Sequence, residues 1–124
     1  MSVYLSLEQV VEINVKMTEL YGGLRGVRDL GALQAAVARP QTGYYSDAIE
    51  EAAALFESLS QNHPFLDGNK RTAITATIVF LTCNGYRVSF NDAEAYKWLM
   101  ALYASSQVSK SAIEFWLRQH SQAG

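Results

Sequence analysis

Apolar residues in this chain recur mainly at intervals of three and four, the spacing of one face of an α-helix. Val10, Ile13, Met17 and Leu20 form the first such stripe, with Glu12, Lys16 and Glu19 on the opposite face. Ser6 and Gln9 have capping-box spacing at its start, and Gly22-Gly23 stops it. Asp29 can cap a second, short helix carrying Leu30, Leu33, Ala36 and Val37. That helix must end near Arg39, because Pro40 disfavours helical angles in the residue before it. After the turn-prone QTGYYS, Asp47 and Glu50 suggest another capping box. Ile49, Ala52, Ala53, Phe56 and Leu59 then mark a third helix ending around Gln61.

The next stretch, RTAITATIVFLTCNG, carries no charge after Arg71. Its β-branched residues would suit a strand, but its length argues for a helix, with Asn84-Gly85 as the stop. A helix apolar on nearly all faces belongs at the centre of a bundle. YRVSF reads as a short extended connector or single strand. Asn91 and Glu94 open a helix whose inward side is Ala95, Trp98, Leu99 and Leu102. Ser109 or Ser111 can cap a last helix built on Ile113, Trp116 and Leu117. No repeat, linker or low-complexity segment interrupts the chain. The pattern predicts one all-α domain over residues 1–124, a compact bundle of about six helices around a central apolar helix.

Composition narrows the classes of function. Of 124 residues, 49% are hydrophobic and 18% charged, which a folded core explains and disorder does not. The net charge of −2 gives no support to direct nucleic-acid binding. A helix-turn-helix reading of CNGYRVSFNDAEAYKWL is further opposed by the apolar run from Trp98 to Leu102. The single cysteine, Cys83, lies in the apolar run and reads as a buried small hydrophobe in a reducing compartment. No signal-peptide pattern is visible, and the uncharged run is short for a membrane span. The expectation is a cytoplasmic protein without membrane attachment.

Directly before the apolar run stands NHPFLDGNKRTA, residues 62–73. Gly68 can take backbone angles that other residues avoid. The amides from Gly68 to Arg71 would open the central helix without internal partners, and the helix dipole would make them an anion site. Lys70 and Arg71 add full positive charges, and Arg71 can hold a phosphate through two parallel hydrogen bonds. Asp67 can ligate Mg²⁺ together with phosphate oxygens and water. His63 can accept a proton from a hydroxyl. Taken singly, each residue has a plainer reading: surface histidine, Asp-Gly turn, solvated charges, packing proline. Together they are the parts of a phosphoryl or nucleotidyl transferase.

HPFLDGNKR closely resembles the signature of the Fic/Doc family, His-Pro-Phe-x-Asp/Glu-Gly-Asn-Gly/Lys-Arg. RDLGALQAAVARPQ is similar to the stretch before that family's target-binding flap, and KRTAITATIVFLTCNGY to its central helix. Length and Lys70 place the likeness nearest the Doc, or death-on-curing, branch. The resemblance implies a Fic-like fold with a short flap, residues 41–45, before the third helix. It implies that His63 is the general base, that Asp67 ligates Mg²⁺ and that Gly68 and Asn69 shape the phosphate cradle. Arg71 would grip nucleotide phosphates and Phe65 would anchor the loop.

Most Fic enzymes have glycine where this chain has Lys70, and they transfer AMP from ATP to a protein hydroxyl. Lysine there resembles Doc-like members, in which ATP lies the other way round and the γ-phosphate faces the base. The implied protein is therefore the toxin of a toxin–antitoxin pair. It would be a Mg-ATP-dependent kinase that phosphorylates translation elongation factor Tu and arrests translation. The alternatives are an AMP transferase and a non-catalytic, antitoxin-binding corepressor module. Ser46 to Glu50 only partly matches the family's inhibitory motif, because Glu51 follows where Gly or Asn is expected. An antitoxin with a disordered or helical C-terminal tail is therefore the expected partner, seated in a groove that Tyr96, Trp98, Tyr103 and Trp116 could line.

Overall fold

The computed structural model describes residues 2–124. Its elements are α1 (Leu7–Tyr21), α2 (Leu30–Ala38), a 3-10 turn (Arg39–Thr42), α3 (Ala48–Gln61), α4 (Asn69–Cys83), β1 (Tyr86–Val88), α5 (Asp92–Ala104), α6 (Lys110–Gln119) and β2 (Ser121–Ala123). The expected six-helix bundle is present. No helix among the described residues is long and apolar enough to cross a membrane.

Local chemistry starts the helices where expected. Ser6 and Gln9 close a full capping box on α1, and Asn91 and Glu94 do so on α5. Asp29 caps α2 and Ser109 caps α6 through their side chains. The box expected on α3 is only half formed. Asp47 accepts the Glu50 amide at 2.9 Å, but the Glu50 carboxylate accepts from the Ser46 amide and hydroxyl instead. Glu50 is thus used as a cap and as a partner of Lys110, at 2.9 Å.

The core is centred on two helices rather than one. α4 buries Thr72, Ala73, Ile74, Ala76, Thr77, Phe80 and Leu81, as its composition suggests. α3 is buried even more completely, from Glu51 through Phe56 and again at Leu59 and Ser60. Its acids concealed this from a reading of charge. Arg39 reaches Glu57 at 3.0 Å, and the Tyr4 hydroxyl donates to Glu51 at 2.6 Å. Cys83 is exposed, contrary to expectation, because α4 reaches the surface by its last turn. Leu20, at 69% exposed, also leaves the predicted stripe.

β1 pairs antiparallel with β2, with Arg87 opposite Gln122. The strand in YRVSF was foreseen; its polar partner, SQA, gives no alternation to read. Trp98 and Trp116 stack at 4.3 Å, and Phe90 joins them at 4.6 Å from Trp116. These two half-buried tryptophans thus join α5 to α6. The flap begins in the 3-10 turn. Arg39 holds its base through the Tyr45 hydroxyl at 2.8 Å, while Tyr44 stands 88% exposed beside it.

The α3 N-terminus also sets acid sensitivity. The Ser46 amide, then Lys110, pull the Glu50 carboxyl from 4.5 to about 2. Arg118 holds Asp47 below its usual 3.8 through paired hydrogen bonds of 2.9 and 3.0 Å. Carboxyls depressed by folding contribute their full stability above their unfolded values, and it is lost as pH falls through the folded ones. The melting temperature should therefore fall as pH drops from 4.5 towards 2, and Glu50→Gln should flatten that fall. Thermal unfolding followed by circular dichroism across this range measures both.

Candidate active site

Gly68 occupies the left-handed region, φ 77°, immediately before α4. A Cβ on it would also lie 3.3 Å from the Asn14 amide nitrogen. Two requirements thus coincide on glycine: the backbone angle and the close approach of α1. Asn69 folds back on the loop. Its Oδ1 accepts the Phe65 amide at 2.9 Å and its Nδ2 donates to the Phe65 carbonyl at 3.0 Å. Phe65 is itself buried, so this closed ring ties the loop to the core.

Asn14 is the buried partner that holds the loop from below. Its Nδ2 donates to the Asp67 carbonyl at 2.9 Å and to the Thr72 hydroxyl at 3.1 Å. The sequence reading passed over it. Its signal was a polar residue between Val10 and Met17, on the apolar side of α1.

A second brace runs along residues 22–29. The Leu24 amide donates to Asp67 Oδ2 at 2.6 Å. A side chain on Gly23 would meet Asp67 Cβ at 2.8 Å, so glycine is required there for contact as well as for its φ of 113°. The Leu66 amide donates to the Gly26 carbonyl at 3.0 Å. The amides of Arg28 and Asp29 donate to the Pro64 carbonyl at 2.8 and 3.1 Å. The sequence reading treated Gly22-Gly23 only as a helix stop and gave Arg28 no role.

Loop and brace, with α1 and Tyr96, line an open cavity of about 520 Å³, within the usual range for small-ligand sites. His63, Asp67, Gly68, Asn69, Lys70 and Arg71 all line it, so every residue named from the loop chemistry is brought to one place. Among the described residues, the amides of Asn69, Lys70 and Arg71 have no acceptor within the protein, as befits the first turn of α4. The Arg71 guanidinium lies between two rings, 3.6 Å from the centroid of Tyr21 and 4.0 Å from that of Tyr96. Lys70 lies over Tyr103 at 4.3 Å. Tyr96 and Tyr103, seven residues apart on α5, therefore each stack against one of the two cations.

The chemistry of the donor set can be tested against a metal ion. Among the described residues there is no cluster of three or more His, Cys, Asp or Glu able to cage one. Asp67 has one oxygen engaged by the Leu24 amide and lines the cavity. One carboxylate beside an anion cradle fits Mg²⁺ brought in with phosphate, since that ion keeps several waters and takes few protein ligands. It does not fit a structural metal held by protein alone.

The chain is similar in sequence to known proteins. A sequence model described as the Fic/DOC family matches residues 4–81, from the N-terminal segment through the flap and loop into α4. The "Toxin Doc" of Mycolicibacterium smegmatis is 45% identical over 94 residues, covering 72% of this chain and 70% of its own. The "Protein kinase doc" of Escherichia phage P1 is 29% identical over 120 residues, 94% of each chain. With a match across more than half its length and with its signature residues around one cavity, the chain belongs to the Fic/DOC family.

Proposed function

We propose that this protein is the toxin of a toxin–antitoxin pair and transfers the γ-phosphate of Mg-ATP to a hydroxyl of a protein, translation elongation factor Tu. The observation that carries the reading is the convergence of His63, Asp67, the α4 amides, Lys70 and Arg71 on one cavity. The names of the two Doc relatives, one a toxin and one a protein kinase, support it.

The placement of each residue supports a role for it. The free amides of Asn69 to Arg71, at the positive end of α4, donate hydrogen bonds to phosphate oxygens. Arg71, held against the rings of Tyr21 and Tyr96, keeps its guanidinium N–H groups for bidentate contact with phosphate. Asp67 would hold Mg²⁺, which when bound neutralises charge on the phosphate oxygens. His63 takes the proton of the target hydroxyl. The hydroxyl oxygen forms a bond to the γ-phosphorus, the bond to the ADP oxygen breaks, and the proton passes from His63 to solvent. Lys70 favours phosphate transfer over AMP transfer, because its side chain fills space beside the cradle that glycine would leave open. Tyr44 and the flap would receive the target segment by main-chain pairing.

An antitoxin must reach a surface that is still open. Trp98 and Trp116 stack on each other and are half-buried, and a second open surface lies between α1 and α4. A mainly apolar depression of about 200 Å³ lies there, lined by Leu5, Ile13 and Val79 with Glu12 and Lys16 beside them. An amphipathic helical tail suits that arrangement.

Incubation of elongation factor Tu with ATP labelled on either phosphate separates the readings. Label from the γ position alone is the expected result; label from the α position would establish AMP transfer instead. His63→Ala should lower turnover by roughly 100-fold or more and relieve growth arrest on expression. Arrest that persists in this variant would favour the non-catalytic corepressor. Arg71→Ala should cost roughly 100-fold or more in turnover while the fold is retained. Lys70→Gly should weaken phosphorylation and raise the share of α-label, measured on the same gels.

A further inference from the structure

His63 is one of only two non-glycine residues at positive φ among the described residues, at 49°. Histidine tolerates this region better than most residues, yet the conformation is uncommon and persists only where the surroundings impose it. Those surroundings are unusually specific. The Arg28 Nε donates to the carbonyl of His63 itself at 2.7 Å, and its Nη2 donates to the carbonyl of Asn62 at 3.2 Å. The Arg28 amide donates to the carbonyl of Pro64 at 2.8 Å, and Val27 bridges Phe65. One residue therefore takes three successive carbonyls, at the position before the histidine, at the histidine and after it.

We infer that Arg28 is a positioning residue for His63: it holds the histidine's backbone in the left-handed turn and so aims the imidazole into the cavity. The planar fork matters here. Nε and Nη2 lie on one edge of the guanidinium and match two neighbouring carbonyls, which a single ammonium cannot do with the same geometry. Arg28 sits outside the cavity wall and touches no reacting atom; it acts only through the loop. The inference rests on the base role proposed for His63.

A plainer role is available and must be separated from it. Asn62 is the C-cap of α3, and a cation on the last carbonyls of a helix stabilises that helix. A cap alone would change melting temperature without a selective change in turnover. A positioning role would lower kcat while leaving nucleotide capture intact, because the cradle of Gly68, Asn69 and Arg71 does not involve Arg28.

The experiment is steady-state phosphorylation of elongation factor Tu with Mg-ATP by the full chain, its Arg28→Ala and Arg28→Lys variants and His63→Ala, with thermal melts of each. Arg28→Ala should lose roughly 10- to 100-fold in kcat, as expected for a misplaced catalytic group. Its KM for ATP should stay within about twofold, the signature of an effect confined to the chemical step. Arg28→Lys, which keeps one donor, should fall between it and the unaltered protein. If Arg28→Ala does not fold, Arg28→Lys decides alone: lower kcat at constant KM supports the role and unaltered kcat overturns it. Arg28→Ala with unaltered kcat beside an inactive His63→Ala overturns the role of Arg28 and leaves the base assignment standing. A lower melting temperature with kcat and KM changed together reduces Arg28 to a helix cap and also overturns it. Unaltered chain that labels elongation factor Tu from neither phosphate, or His63→Ala at full activity, overturns the inference together with the function beneath it.

Discussion

The amide of Asn14 is the point on which the site depends. Its two hydrogen bonds join the last carbonyl of the loop to the first turn of α4, directly beneath Gly68. A buried amide of this kind is held in one orientation by its partners, since an unsatisfied polar group there costs about 1–3 kcal/mol. With the turn at Gly68 fixed, the free amides of α4 face the cavity and Asp67 falls within reach of Leu24. The cradle is therefore a by-product of how α1 packs on α4, not of loop sequence alone.

The aromatic residues divide in a way that explains how a small bundle supports a charged site. Trp98, Trp116 and Phe90 pack on one another between α5 and α6. Tyr96 and Tyr103 turn instead towards Arg71 and Lys70. One helix thus seals the core and sets the two cations of the loop. Stacking suits this task because it fixes a guanidinium without consuming its hydrogen bonds, as a carboxylate partner would.

Much of this could be read from the chain before any coordinates. Helix starts are written in single residues such as Ser6, Asp29 and Asn91, and the loop announces itself by placing His63, Asp67, Lys70 and Arg71 within nine positions. What could not be read lies at long separation. Asn14 and Thr72 meet across 58 residues and Arg28 and His63 across 35, and nothing local in sequence marks either pair. The depth of α3 was obscured for a related reason: Glu51 and Glu57 suggest solvent until their partners, Tyr4 and Arg39, are known. Cys83 erred in the opposite direction, since an apolar neighbourhood in sequence does not say when a helix reaches the surface.

That last position has a practical use. Cys83 is the sole thiol of the chain, it is exposed, and it ends the same helix whose N-terminus lines the cavity. A helix of 15 residues spans about 20 Å at its standard rise. A maleimide dye attached there would sit at a fixed remove from the cavity. Energy transfer to a fluorescent nucleotide could then follow occupancy in real time in the natural sequence, with no cysteine added or removed.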